Sequence, residues 1–134
     1  MPIRKQEFYE GAALHQLARS GAITSIQLEP PFFLINDYLS VCMKYCTRGR
    51  TPWGFTVLPD ELSLFQVRAA ASELLLALIC GSDGIAVIGF SDYLGIAGRR
   101  TSAVHISCSR PFGHHYAVSG PEVSGEPMAE GKRR

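Results

Sequence analysis

Residues 32–55 constrain the fold most, because they contain a segment, 38–47, whose side chains alternate with a period of two. In a β-strand successive side chains point to opposite faces, so this segment is predicted to be a strand. One face carries Ser40, Cys42, Lys44 and Cys46, and the other carries Val41, Met43 and Tyr45. Lys44 therefore lies in mid-strand between two cysteines, where its ammonium group needs water, a partner or a function.

The residues on either side of this strand predict a hairpin and a loop. The apolar run Phe32–Ile35 precedes Asn36 and Asp37, a pair that tolerates tight-turn geometry. After the strand comes a short basic loop that contains Arg48 and Arg50. The predicted strand that carries Cys42, Lys44 and Cys46 is therefore preceded by a hairpin turn and followed by a basic loop.

The rest of the chain alternates helical and extended patterns. Helices are predicted over 7–19, 59–72 and 91–96, and shorter strands over 23–28, 54–58, 74–80, 85–88, 104–109 and 115–118. The continuous apolar run 74–80 is typical of a strand that is buried on both faces. This order predicts an α/β (α+β) fold in which a mixed β-sheet is flanked by helices.

Length and charge describe an ordinary globular chain. The 134 residues are predicted to form one α/β domain over 1–119 and a disordered tail over 120–134, where Pro, Gly, Ser and charged residues dominate. The net charge of +1 provides no global field toward nucleic acid or a membrane surface. Any site for a polyanion must therefore be a local patch.

Hydropathy and cysteine usage predict a cytoplasmic protein without a membrane partner. The longest apolar run is far shorter than the ~20 residues of a membrane-spanning helix. The first residues lack the apolar core of a signal peptide. The four cysteines follow no compact extracellular pattern, so we expect buried free thiols in a reducing compartment.

A glutamate lies on the apolar stripe of the first helix, since Glu10 is in step with Leu14 and Leu17. A helix with an inward glutamate, a hairpin whose second strand carries a lysine, a second helix and a further strand follow one another. This order resembles the core of the PD-(D/E)XK restriction-endonuclease-like nucleases. The resemblance covers about residues 5–88 and implies a restriction-endonuclease-like core.

The resemblance also implies residue roles. In that family an acid near the end of one strand and a (D/E)-x-K motif on the next strand hold Mg²⁺. The lysine helps to orient the attacking water, and a helix glutamate often assists. Lys44 stands at the motif lysine, Glu10 at the helix acid, and Asp37 is the carboxylate nearest to the first acid. A metal-dependent DNA nuclease would accordingly use Glu10, Asp37 and Lys44 with Mg²⁺.

Two positions depart from the family pattern. Cys42 stands where the second acid belongs, and Phe33 or a neighbour occupies the region of the first acid. A thiol is a poor substitute for a carboxylate, because Mg²⁺ prefers oxygen ligands. Glu29 is another candidate carboxylate, although two prolines follow it. The resemblance therefore implies a degenerate nuclease fold with no metal and no cofactor, and Mg²⁺ only if the nuclease activity is retained.

A basic cluster with an aromatic residue predicts a second kind of site. Lys44, Arg48, Arg50, Trp53 and Arg110 are the candidate nucleic-acid-binding residues. Guanidinium groups bind phosphates in a fork, and an indole can stack on a base. In the alternative interpretation the loop is merely solvated, and its tryptophan is anchored in the core.

Soft metal ligation and a Cys–His pair are the remaining site types. Cys42 and Cys46 would lie ~13 Å apart on an extended strand, too far for one zinc ion to bridge. Cys108 and His105 would point to opposite faces of their strand. We predict no metal site from these residues.

Three functions follow from these observations. The first is non-catalytic binding of nucleic acid or of a protein partner by a degenerate nuclease-like domain. The second is metal-dependent DNA cleavage. The third is an inhibitor or accessory protein that acts by protein–protein contact, including a homodimer formed through a sheet edge.

Overall fold

The computed structural model describes residues 2–98, 102–111, 115–122 and 129–130. The elements in chain order are α1 (Lys5–Arg19), β1 (Ile26–Glu29), β2 (Phe32–Ile35), β3 (Leu39–Cys46), β4 (Trp53–Val57), α2 (Pro59–Ala71), β5 (Glu73–Cys80), β6 (Gly84–Gly89), α3 (Phe90–Ala97), β7 (Val104–Ser109), β8 (Ala117–Ser119) and β9 (Ala129–Glu130). The predicted α+β class is confirmed, and the strands form two sheets.

The larger sheet is mixed and has the strand order β1-β2-β3-β5-β6. Strands β1, β2 and β3 form an antiparallel meander, β5 runs parallel to β3, and β6 returns antiparallel to β5. Because α2 lies between β3 and β5 in the chain, it makes the crossover that a parallel pair requires. The smaller sheet is antiparallel, with the order β4-β7-β8-β9.

The alternation predicted for β3 is confirmed, and it separates two cores. Ser40 and Cys42 are buried on one face of the larger sheet, in the core that also contains residues of β4, α2, α3 and β7. Val41 and Met43 are buried on the other face, against α1. Strand β5 contributes Leu76 to the first core and Ala77 to the second, as expected for a strand covered on both faces.

The position of α1 corrects one expectation. We expected the face that carries Cys42 and Lys44 to look toward the first helix. Helix α1 covers the opposite face instead, where Tyr9 stacks on Tyr45 with ring centroids 4.8 Å apart. The face that carries Lys44 turns toward α2, because α2 packs its Phe65 on that side of the sheet.

In each of the two long helices, a glutamate in the first turn caps the N-terminus. Glu7 accepts a hydrogen bond from the backbone N–H of Arg4 at 2.8 Å, and Glu61 accepts one from Leu58 at 2.9 Å. Such a side chain satisfies one of the N–H groups that have no partner within the helix. Pro59 suits the first position of α2, since that position needs no amide donor.

Several element ends differ from the predictions. The third helix begins at Phe90 after Gly89, not at Ser91, and β1 begins at Ile26 rather than at residue 23. Within the tail predicted to be disordered, Ala129–Glu130 pairs with β8, and the residues outside 120–122 and 129–130 lie beyond the described part. Among the described helices, none is both long and apolar enough to cross a bilayer.

Candidate functional site

An open cleft of about 900 Å³ lies beside the second half of β3. The first residues of α1 form one side, and Glu61 of α2 and residues of β4 form another. The hairpin turn Pro30–Pro31 lines it as well. Cys42, Lys44 and Glu10 all line this cleft, so the structure brings three residues of the nuclease interpretation into one space.

The cleft exists because β2 is shorter than β3. The pairing of β2 with β3 ends at Phe32 and Cys42, whereas the pairing of β3 with β5 continues to Cys46. From Met43 onward, β3 therefore has a described strand neighbour on one side only. The turn that precedes β2 consists of two prolines, and Pro31 has no N–H with which to extend the ladder.

Lys44 has an ion-pair partner that sequence reasoning did not identify. Its Nζ lies 2.8 Å from Oε2 of Glu61, and the two side chains are 16% and 32% exposed. Glu10 accepts a hydrogen bond from the amide of Gln6 at 2.8 Å instead. Glu61 lies 17 residues after Lys44, and an acid in the first turn of a helix is favoured by the helix dipole alone, so no local pattern indicated this pair.

Burial keeps the thiol of Cys42 protonated. Desolvation raises its pKa from 9.0 to about 12, Lys44 opposes this shift, and the carboxylates of Glu61 and Glu10 add to it. A neutral thiol is a weak ligand for a hard cation. The residue directly opposite Cys42 on β2 is Phe32, which is also buried. Neither Cys42 nor Phe32 therefore offers a carboxylate on this pair of strands.

The other two carboxylate candidates lie outside the cleft. Asp37 is in the hairpin turn with φ 65°, at the opposite end of β3 from Lys44, roughly 20 Å away along an extended strand. Glu29 forms an ion pair with Arg68 of α2. Asp37 therefore cannot join Glu10 and Lys44 in one site. Within the described ranges, no three His, Cys, Asp or Glu side chains are placed to hold a metal ion.

The basic loop after β3 is exposed, but its tryptophan is not. Arg48 and Arg50 are exposed, whereas Trp53 is 2% exposed and packs edge-on against Tyr116. The indole N–H donates a hydrogen bond of 2.9 Å to the carbonyl oxygen of Arg48. This burial contradicts the stacking role expected for Trp53 and matches the alternative, an anchor in the core.

A second set of contacts holds the same loop from β5 and β7. The N–H of Gly81 donates to the Cys46 carbonyl at 2.8 Å, and Gly81 has φ 55°. A Cβ at this position would collide with the carbonyl oxygen of Arg48, so glycine is required for the close approach. The backbone N–H of Arg110 donates to Thr51 Oγ1 at 3.1 Å. The loop is therefore fixed at several points.

Arg110 lies beside this loop in a cluster that the sequence did not indicate. Its Nη1 lies 2.9 Å from Asp83, and its guanidinium group lies over the ring of Tyr116, whose hydroxyl donates to Asp83. The hydrogen bond from Tyr116 and then that from Arg110 hold the pKa of Asp83 below its ordinary value. A depression of about 420 Å³ opens here, lined by Arg50, Asp83 and Arg110.

The remaining histidine and cysteine candidates are separated as expected. His105 is exposed and lies within 3.3 Å of Thr56 Oγ1, whereas Cys108 is fully buried on the opposite face of β7. All four cysteines are free thiols. The sequence also offers a second basic patch, Arg99 and Arg100 with Arg110, His114 and His115, of which Arg99, Arg100 and His114 lie outside the described residues.

No known protein family, curated protein or solved structure matches this chain. Its function is therefore inferred from the geometry and charge of the two depressions.

Proposed function

We propose that this protein is a non-catalytic domain that binds a nucleic-acid backbone through its arginine surface, which consists of Arg48, Arg50 and Arg110. The carrying observation is the local charge. Arg50 and Arg110 line the depression, and the one carboxylate among its lining residues is Asp83. Arg48 lies on the same loop, where its Nε contacts the Arg50 carbonyl. Phosphate oxygens are the natural ligands of such a group of guanidinium forks.

The fixed shape of the loop supports this proposal. Trp53 holds the Arg48 carbonyl from the core, and Gly81 approaches the same carbonyl from β5. The Nε of Arg48 also donates to the Arg50 carbonyl at 3.1 Å. Binding is stronger when less conformational freedom is lost, so an ordered basic loop suits phosphate contacts better than a flexible one.

The cleft beside β3 fits phosphate less well. It is lined by Arg4, Lys5 and Lys44, but equally by Glu7, Glu10 and Glu61. Three bases and three acids leave it without net charge. We therefore exclude Lys44 from the phosphate-binding set and place that set on the arginine surface.

The resemblance to the nuclease family supports a binding domain without catalysis. The proposal uses the element order of the chain, in which α1, the β1–β3 meander, β4, the crossover helix α2 and the parallel strand β5 follow one another. By that resemblance Cys42 stands at the second acid, and Phe33 or a neighbour at the first. A domain of this kind would bind phosphates with its arginines and lack the carboxylates that hold Mg²⁺.

Binding of a labelled DNA duplex and of a single strand, measured as a function of salt concentration, tests the proposal. We expect the affinity to fall steeply with salt, because bound phosphates release counterions. Arg48→Ala with Arg50→Ala should weaken binding at least tenfold and lower the salt slope by about 2. Lys5→Ala with Arg19→Ala removes the same charge on α1 and should have little effect. Absence of binding, or equal losses in the two double variants, contradicts the proposal.

Metal-dependent cleavage is a second candidate, favoured by one observation. Lys44, Glu61 and Glu10 all line the cleft beside Cys42, so a lysine and two carboxylates border the same space. Incubation of supercoiled plasmid with Mg²⁺ or Mn²⁺ separates the candidates. Cleavage that both Lys44→Ala and Glu10→Ala abolish would establish the nuclease, whereas we expect the plasmid to stay intact.

A further inference from the structure

We infer that the cleft beside β3 is a docking site for an extended peptide segment of another protein, which pairs with the open edge of β3. The inference concerns a different surface from the arginine surface and does not depend on nucleic-acid binding. The position of the cleft supports it. The pairing of β2 with β3 stops at Phe32 and Cys42, so an incoming strand would lie in line with β2 and run alongside Met43–Thr47.

The alternation of the backbone along β3 shows which N–H and C=O groups face the cleft. In a β-strand the N–H and C=O of one residue point to the same side, and successive residues alternate. The Cys46 carbonyl accepts a bond from Gly81, at the end of β5, so Cys46 and Lys44 point toward β5. Met43 and Tyr45 consequently direct their N–H and C=O groups into the cleft. These groups are the template that an added strand requires.

The Met43 carbonyl already accepts a hydrogen bond from an amide, the same kind of donor as a peptide N–H. The side-chain amide of Gln6 donates to the Met43 carbonyl at 3.3 Å, the position at which a peptide N–H would donate. The same amide also donates to Glu10 at the shorter distance of 2.8 Å. Gln6 can therefore release Met43 and keep its better bond, which leaves the acceptor to an incoming strand.

Charge and size select the occupant. Three basic and three acidic side chains line the cleft and balance each other, so it complements an uncharged segment better than a polyanion. A volume of about 900 Å³ is sufficient for about five extended residues, which span roughly 17 Å. Leu28, which is 63% exposed, and the half-buried ring of Tyr45 offer apolar contacts to alternate side chains of such a segment. We expect short uncharged sequences rich in β-branched or aromatic residues.

A displayed library of random short peptides, selected on the full chain, provides the probe. We expect uncharged, strand-forming sequences to be enriched, and their binding to slow the hydrogen exchange of the Met43 and Tyr45 amides. N-methylation of alternate peptide residues, so that the N–H groups facing β3 are lost, should weaken binding at least tenfold, or about 1.4 kcal/mol. Methylation of the other alternate set, whose N–H groups face away, should have little effect.

Two variants of the protein give a second readout. Tyr45→Pro removes the N–H that faces the cleft, and Tyr45→Val removes the same ring but keeps that N–H. We expect Tyr45→Val to weaken peptide binding modestly, because a ring contact is lost, and Tyr45→Pro to abolish it. Gln6→Ala should bind at least as tightly as the original chain. Arg48→Ala with Arg50→Ala should bind the peptides normally, which separates this site from the arginine surface.

Several outcomes would overturn the inference. These are the absence of any enriched peptide, enrichment of acidic sequences only, equal loss from both methylation patterns, and competition of DNA for the same amides. A concentration-dependent dimer that protects Met43 and Tyr45 would assign the edge to a second copy of this chain instead. The methylation test uses the original protein, so it remains decisive even if Tyr45→Pro does not fold.

Discussion

Two tyrosines in the same core differ in how their hydroxyl groups are satisfied. Tyr93 is 1% exposed, and its hydroxyl oxygen has no hydrogen-bond partner among the described residues. The hydroxyl of Tyr116 donates to Asp83, which also binds Arg110. A buried polar group without a partner costs about 1–3 kcal/mol, whereas a satisfied one contributes to stability. The hydroxyl of Tyr93 should therefore lower the free energy of unfolding, and the hydroxyl of Tyr116 should raise it.

We predict that Tyr93→Phe raises the free energy of unfolding at neutral pH by about 1 kcal/mol, because it removes the unsatisfied hydroxyl. Tyr116→Phe should lower it by about 1–2 kcal/mol, because Asp83 loses a charge-assisted hydrogen bond. Urea denaturation of the two variants measures both changes. A loss of stability in Tyr93→Phe would mean that its hydroxyl has a partner in solution.

At the scale of elements, Arg68 connects α2 to two strands of the larger sheet. Its Nη2 binds Glu29 at the end of β1, and its Nε donates to Ser40 of β3 at 2.6 Å. The guanidinium group also lies 5.1 Å from the centre of the Phe32 ring. Ser40 has no exposed surface and shares a further hydrogen bond of 2.7 Å with Ser72. One side chain thus holds α2 across the meander.

We predict that Arg68→Ala lowers the free energy of unfolding by about 2–4 kcal/mol, because the buried hydroxyl of Ser40 and the carboxylate of Glu29 both lose this donor. Arg68→Lys should recover little of this loss, since one ammonium group cannot reach both partners in the fork geometry. Arg19→Ala, at the exposed end of α1, is the matched control and should change stability by less than about 0.5 kcal/mol. A full recovery by lysine would show that only the charge matters.

At the scale of the whole molecule, several buried acidic groups make the fold sensitive to alkali. Burial is the first cause that raises the pKa of Cys42 to about 12 and that of Tyr93 to about 12. Burial also raises the pKa of Tyr116, followed by its bond to Asp83. The unfolded chain loses these protons at lower pH than the folded chain. Their contribution to stability is therefore complete below pH 9 and is lost as the pH rises toward 12.

We predict a melting temperature that is nearly constant between pH 7 and 9 and falls by roughly 5–10 °C between pH 9 and 11. Tyr93→Phe should reduce this fall, because it removes one of the shifted groups. Tyr38→Phe is the control, since the Tyr38 side chain is exposed. Thermal melts in a series of buffers measure the slopes. Equal slopes in the original chain and in Tyr93→Phe would contradict the assignment.

The sequence by itself determined what depends on local chain geometry. The period of two placed Cys42 and Lys44 on one face of β3, and the apolar run identified β5 as a strand buried on both faces. It also separated His105 from Cys108, because alternation along an extended chain is a property of the backbone. These predictions needed no knowledge of distant neighbours.

The tertiary structure alone decided the partners and the open space. It paired Lys44 with Glu61 rather than Glu10, and it buried Trp53 under the basic loop. It also left the edge of β3 open after Cys42, because β2 begins behind two prolines. Each of these outcomes depends on which element packs on which face of the sheet. That choice is made by long-range packing, which local periodicity does not encode.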